Sequence, residues 1–528
     1  MSKHATLMAG AFALMLVVAA AEAHVYTVTK YGDDGSRGTL RWAIEQSNAN
    51  PGRNIIRIVP VGRPPHVIKL NSLLPAIHGP VVIRGVRHGE RDERDGDDEG
   101  DGEKRRASVP QVVEDTLESL PAAVRERLPE AGVAETPSIA IDGSNFLNGN
   151  DQSSCPGVNP TQFGPNVRSF SNPAFAVIDS GEVEISNLEI RSFCIGVLLL
   201  RSHSNYLHHL YVHNVSGAAG LMVTGDAGDA AGSSTSGLST ANRVEWNTLV
   251  DIGDGLECTR GTSFTSYRNN MLIETRTRDG TKTPWSQGIE CAGNGNHDIE
   301  LFDNVFVAFS DGMQLNAAAN LRAERNVIVN NTYGITSGGT GVLIHDNLIT
   351  GNRMGVGPTN AARVTVSENS IYGNGQNILS LPNSAGGTTN PASPARLGID
   401  VGVNGRTAND LSDADTVQNF PVLSADSSWS ASGTVVLRGT LSTKPNGSFN
   451  LEFFANHSLN AAGWGEGEVF LGSMVVSTGA DGIAPFAFSV RTVDPLRDRS
   501  GAAYFTATAT NRDTGATSEF SDALLLHR

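Results

Sequence analysis

Gly255-Leu256-Glu257-Cys258 is followed 33 residues later by Gly288-Ile289-Glu290-Cys291, and the phrase recurs in looser form through residues 187–378. Gly196-Val197-Leu198-Leu199 and Gly220-Leu221-Met222-Val223 precede it; Gly312-Met313-Gln314-Leu315, Gly334-Ile335-Thr336-Ser337 and Gly355-Val356-Gly357 follow it. An asparagine opening an apolar pair marks the same stretch, at Asn187, Asn247, Asn270, Asn304, Asn326, Asn347 and Asn369, with His209 in the matching place once. From Asn304 onward the asparagine intervals are 22, 21 and 22 residues, while the glycine intervals 220–255 and 255–288 stretch to 35 and 33. A fixed period of this size means stacked supersecondary units.

Alternating apolar residues bounded by Gly and Asn turns describe short strands. One coil cannot bury its own face. A neighbour about 4.8 Å above completes both the hydrogen bonds and the core. Asn tolerates left-handed backbone angles and can stack into an amide ladder. Helical repeats fit badly, because the coils are rich in Val, Ile, Asn and Gly and carry no i, i+3, i+4 stripe. The coil length and the Asn and Gly pattern resemble the right-handed parallel β-helix of the pectate-lyase-like class. The expected fold is therefore all-β, a right-handed parallel β-helix followed by a small β-sandwich.

Six segments are expected. Residues 1–23 read as a signal peptide, with Lys3, an apolar run from Leu7 to Ala20, and Ala21-Glu22-Ala23 before the cleavage point. His24 would then lead the mature chain. A terminal His can chelate copper with a second His, but here it runs straight into Val25-Tyr26-Thr27-Val28 and no paired His is supplied. Residues 24–86 form the cap and first coils. Leu40, Ala43 and Ile44 have helical spacing and would cover the open end. The phrase Gly38-Thr39-Leu40-Arg41-Trp42-Ala43-Ile44 through Asn50-Pro51-Gly52 resembles the entry of a large group of exported bacterial β-helix proteins; Trp42 is then cap core.

Residues 87–137 are an acidic low-complexity insert that holds 15 acids against 8 bases, or −7 of the net −16. Glu90 to Glu103 cannot bury anything, and residues 112–128 have weak helical amphipathicity. Residues 138–380 are the β-helix and 381–420 a linker. Within that linker, Leu397-Gly398-Ile399-Asp400 and the following Asx-rich turns resemble the exit segment of the same exported group. Residues 421–528 alternate apolar and polar residues between turns and suggest an immunoglobulin-like sandwich. Trp429 and Trp464 in that module could touch a glycan or serve as packing anchors.

The acidic balance, with a pI near 5.3, argues against nucleic acid as a partner. No segment after the signal approaches a membrane span. The chain is expected to be secreted or at the cell surface, to act as a monomer and to meet polysaccharide. Cys258 and Cys291 hold the same place in successive long coils and form the preferred disulfide, which leaves Cys155 and Cys194 as the other pair. Buried free thiols are the alternative.

Aligning the coils on their glycine separates the faces. Three residues after Gly, the chain reads Leu199, Val223, Cys258, Cys291, Leu315, pointing inward. Two after Gly it reads Leu198, Met222, Glu257, Glu290, Gln314, Thr336; one before, Ala219, Asp254, Gln287, Asp311, Tyr333. Asp254, Glu257, Glu290 and Asp311 should share one outer face, where stacked like charges repel unless a cation or a proton is shared. The excursions of the two long coils flank that face, and the second carries Arg276, Arg278, Lys282 and Trp285. Resemblance to pectate-lyase-like enzymes implies Ca2+ held by Asp254, Glu257, Glu290 and Asp311, and β-elimination with Arg260 or Lys282 as base beside a catalytic Glu290. Trp285, Gln314 and His297 would line the substrate. The motif blocks of those lyases, of the related hydrolases and of mannuronan epimerases are not found. A non-catalytic adhesive or matrix solenoid is the alternative. His203, His208, His209 and His213 read as turn residues and ladder members.

Overall fold

The computed structural model describes residues 23–86, 109–129, 136–147, 172–225, 237–276, 286–359, 363–376, 397–491 and 501–528. Residues 1–22 of the expected signal peptide 1–23, the run 90–103, Cys155, Lys282 and Trp285 lie outside the described residues.

The expected fold is observed. Parallel strands stack into a 13-stranded and a 16-stranded sheet. The larger sheet bends, because the long strands Tyr211–Thr224 and Thr248–Thr259 run across two faces of the coil. Each coil thus has three faces. The first runs through Thr262–Arg268, Asn296–Phe302 and Arg322–Glu324. The second runs through Met271–Ile273, Val305–Val307 and Val327–Val329. The third runs through Gln287–Ala292, Asp311–Leu315 and Tyr333–Ser337.

Two columns set the register. The first is the glycine column. A side chain at Gly255 would meet the Gly288 carbonyl at 2.6 Å, one at Gly288 the Gly312 carbonyl at 2.4 Å, and one at Gly312 the Gly334 carbonyl at 2.6 Å. The backbone of the next coil fills the space a Cβ would need, so each coil repeats the glycine. The second is the amide ladder. Asn247, Asn270, Asn304, Asn326, Asn347 and Asn369 pass an Nδ2–H from each side chain to the next Oδ1 at 2.9–3.0 Å. Each acceptor also takes the backbone N–H of the coil before it. The two earliest coils correct the expectation. Asn187 and His209 sit one residue ahead of the ladder, at φ of 54° and 53°, and Leu188 and Leu210 hold the ladder place. The repeat was thus displaced by one residue where the ladder side chain is apolar.

At the amino end, the helix Leu40–Ala49 is capped by Thr39 and buries Leu40, Ala43 and Ile44 over the first coil. Trp42 packs edge-on to Tyr26, as cap core. The second half of the acidic insert forms helices Gln111–Ser119 and Ala122–Arg125. One side of them is buried and the rest faces solvent. Val113, Leu120 and Val124 pack on the outward side of the second face, against Val250, Ile273, Val305, Val307 and Val329. This explains apolar triplets such as Val305-Phe306-Val307. A strand covered on both sides has no polar face to alternate with, and each buried Val adds roughly 1.5–3 kcal/mol.

At the carboxyl end, part of the stretch read as linker continues the solenoid: Gly355 N–H donates to Leu397 O, and Asp400 N–H to Val356 O. Two four-stranded antiparallel sheets follow and enclose a core of Trp429, Leu437, Phe449, Phe453 and Phe505. Trp429 is buried, and Trp464 lies 4.8 Å under the Arg406 guanidinium, so both are packing anchors. This module closes the last coil with three carboxylates. Glu452 accepts from Ser367 Oγ at 2.6 Å and Glu368 N at 2.9 Å. Glu466 accepts from Asn374 N at 3.1 Å. Glu519 accepts from Val401 N at 3.3 Å and Thr407 N at 3.0 Å. Burial pushes Glu466 and Glu519 up to about 7.

Candidate active site

The acidic strip stands on the third face. In register, Asp254 lies beside Gln287, which lies beside Asp311 and then Tyr333; Glu257 lies beside Glu290, then Gln314 and Thr336. Neighbouring strands are about 4.8 Å apart, so the six acidic and amide side chains form a patch two residues wide and three coils long. Asp254, Glu257, Gln287 and Asp311 are buried, while Glu290 and Gln314 are half-buried. In the preceding coils the same outward positions hold Leu198, Ala219 and Met222, which form a small apolar cluster. The strip therefore begins abruptly at the coil of Asp254.

Its base is rigid. Cys258 and Cys291 form a disulfide with Cα atoms 4.6 Å apart, directly beyond Glu257 and Glu290 in the two strands. The covalent link fixes the separation of those two carboxylates. Cys194 is disulfide-bonded as well. Beneath the strip, the fully buried Tyr267 phenol donates to the Glu257 carbonyl at 3.1 Å, and burial, then Glu257, holds it well above its usual range.

Both edges carry cations. On the side of the second face, Arg276 binds Glu274 through Nε at 2.8 Å and Nη2 at 2.5 Å. Glu274 is fully buried, and burial outweighs its arginine to hold the carboxyl above the usual range. Arg276, despite its own burial, is raised by Glu274 and then by Asp251 and Asp254. Its charge thus reaches the strip. On the other side, Arg260 turns through φ of 50° and is half-buried, resting against Gly293, where a Cβ would come within 3.0 Å of the Arg260 Cγ.

Of the expected site residues, Asp254, Glu257, Glu290, Asp311 and Gln314 are brought together, with Arg260 at the edge. His297 belongs to the first face, around the corner, where its Nδ1 meets Asp298 Oδ2 at 2.7 Å and its ring abuts Phe264. Lys282 and Trp285 lie outside the described residues. Among the described residues no three His, Cys, Asp or Glu side chains are arranged to hold a metal ion. The histidines lie elsewhere: His208 Nδ1 meets His209 Nδ1 at 2.8 Å, and His213 meets Glu189 at 3.0 Å.

Gln287 and Glu274 were missed as site residues. Gln287 stands in the column of Asp254 and Asp311, so the glycine alignment contained it. Glu274 follows an apolar triplet at the start of an excursion, where its burial has no sequence mark.

Residues 223–390 match the profile of the family described as periplasmic copper-binding protein (NosD). Among solved structures, the chain is similar to the enzymatically active domain of bacteriophage CBA120 tailspike protein 2, at 11% identity and TM-score 0.29, covering 89% of this chain and 71% of that one. It is also similar to the periplasmic alginate epimerase AlgG, at 12% identity and TM-score 0.27, covering 62% and 64%. No helix among the described residues is long and apolar enough to cross a membrane. Over 536 aligned residues the chain is 33% identical to the 3-dehydroshikimate dehydratase of Acinetobacter baylyi (strain ATCC 33305 / BD413 / ADP1), covering 96% of this chain and 95% of that enzyme. The chain therefore belongs to the family of that dehydratase.

Proposed function

We propose that this protein removes water from a small hydroxylated keto acid of the dehydroshikimate class, and that the acidic strip of the third face is where it does so. The observation that carries this reading is the end-to-end relationship to a 3-dehydroshikimate dehydratase. The compound in that enzyme's name is a ring carboxylate with a ketone and hydroxyls on neighbouring carbons. Dehydration breaks the C–H bond beside the ketone and the C–O bond one carbon further. A C=C bond forms, and the proton and hydroxide leave as water. The product enolises to an aromatic diol acid.

This chemistry needs a base at the carbon acid and an acid at the departing hydroxyl, each worth about 10²–10⁴ in rate. Glu290 and Glu257, side by side on disulfide-linked strands, supply the pair. In our reading the more accessible Glu290 takes the proton and the buried Glu257 protonates the leaving oxygen. Arg260, at the edge of the strip, meets the substrate carboxylate. The β-elimination expected from the sequence is kept in kind, on a small acid in place of a glycan.

The test uses mature protein from His24, incubated with 3-dehydroshikimate, pectate and alginate, each with calcium and with chelator. Aromatic product from the keto acid alone is the expected result. Calcium-dependent unsaturated uronate from a glycan, with no aromatic product, would replace this reading with the polysaccharide-lyase one. Export and a monomeric state belong to the same proposal; periplasmic or secreted protein should begin at His24 and sediment as a single chain.

A further inference from the structure

Gln287 is a strip residue whose hydrogen bonding is incomplete among the described residues. It is only 4% exposed. Its Nε2 donates to Gln314 Oε1 at 3.2 Å, and its own Oε1 is buried with no hydrogen-bond partner. A buried acceptor left unmade costs about 1–3 kcal/mol, so folding alone gives no reason to keep it. Its register neighbours are Asp254 and Asp311, and the next column holds Glu290. A carboxylate accepts hydrogen bonds and donates none, so in that form these neighbours do not serve Gln287 Oε1. Asp311 is engaged by Thr336 Oγ1 at 3.2 Å. A hydroxyl brought in from outside the strip supplies such a donor. Gln314, with its oxygen taken by Gln287, offers Nε2–H to whatever sits above the pair.

We infer that Gln287 and Gln314 read a hydroxyl that the substrate keeps through the reaction: Gln287 Oε1 accepts the hydroxyl proton and Gln314 Nε2 donates to the hydroxyl oxygen. The two carboxamides act as positioning and specificity residues beside the Glu257–Glu290 pair. This rests on the proposed function and adds to it which side chains recognise the hydroxyl that stays on the ring. A site whose buried polar groups need a substrate hydroxyl rejects the analogue lacking it by up to about 10⁴-fold.

The experiment compares 3-dehydroshikimate with its analogue lacking the retained hydroxyl. Binding is followed by calorimetry and turnover by product formation, on the full-length wild type, Gln287→Met and Gln287→Glu. Wild type should prefer the hydroxylated ligand by at least about 100-fold. Gln287→Met, similar in size but unable to accept the bond, should bind both alike, mainly through a raised KM for the hydroxylated one. Gln287→Glu, which keeps an acceptor, should retain the preference. Equal binding of the two ligands by wild type, or an undiminished preference in Gln287→Met, overturns this inference while leaving dehydration intact. No binding and no turnover of either ligand by wild type overturns the proposed function as well. A Gln287→Met protein that unfolds is separated from these outcomes by Gln314→Met, which removes the donor half of the pair from a half-buried position.

Discussion

Two polar columns run up the same coils and behave in opposite ways. The amide ladder from Asn247 to Asn369 is buried, and each member serves the next, because an amide is donor and acceptor at once. The acid column of Glu257 and Glu290, beside Asp254 and Asp311, cannot serve itself when ionised, because carboxylates only accept. The first column repeats for as long as the solenoid needs it. The second appears in three coils and is replaced by Leu198 and Met222 before them and by Thr336 after. A stacked polar column that completes its own bonds belongs to the fold; one that cannot marks a place kept for something else.

Moving a charge into the ladder should break this contrast most forcefully. Asn326→Asp removes the amide that serves Asn347 Oδ1 and Leu301 O, and leaves a buried charge in its place. Chemical denaturation should show a loss of about 3–5 kcal/mol, the cost of an uncompensated buried charge. A loss below about 1 kcal/mol would mean the ladder is ornamental. Next in size is the link under the acid column. The double variant Cys258→Ala/Cys291→Ala should lose about 2–4 kcal/mol, and its turnover should fall further than its folded fraction, because Glu257 and Glu290 lose their fixed spacing. The smallest effect concerns the carboxylates of the C-terminal module. Glu466 and Glu519 titrate near 7 in the folded chain, against an ordinary 4.5, so the folded state holds their protons more tightly. The stability they contribute is complete below about 4.5 and lost as pH rises through about 7. The module's melting temperature should therefore drop across that window, and Glu466→Gln should flatten the profile.

Much of this was legible in the residues. The glycine phrase is forced by carbonyl oxygens 2.4–2.6 Å from where each Cβ would stand, so period and register were written in the chain. The Glu257–Glu290 pairing and the Cys258–Cys291 link followed from the same alignment. The ladder was misplaced by one residue at Asn187 and His209, because an αL asparagine and a ladder asparagine look alike in sequence and Leu210 hid the true position. The docking of the 109–129 helices was missed because an acidic surround masked Val113, Leu120 and Val124, although the triplets Val305-Phe306-Val307 and Val327-Ile328-Val329 required a cover. Site chemistry was the least legible. Acids on a β-helix suit glycans and small acids equally, since fold and function are separable, and His297 looked adjacent in sequence while lying around a corner in space.

The most direct test compares carboxylates on different faces. Glu290→Gln and Glu257→Gln would be assayed for dehydration of 3-dehydroshikimate beside Glu245→Gln, a buried acid on the first face that pairs with Arg243. The account predicts a loss of about 10²–10⁴ in kcat for the two strip variants, with unchanged unfolding midpoints, and near-normal turnover for Glu245→Gln. Full activity in both strip variants, or an equal loss in all three, would contradict the assignment of the acid column as the active site.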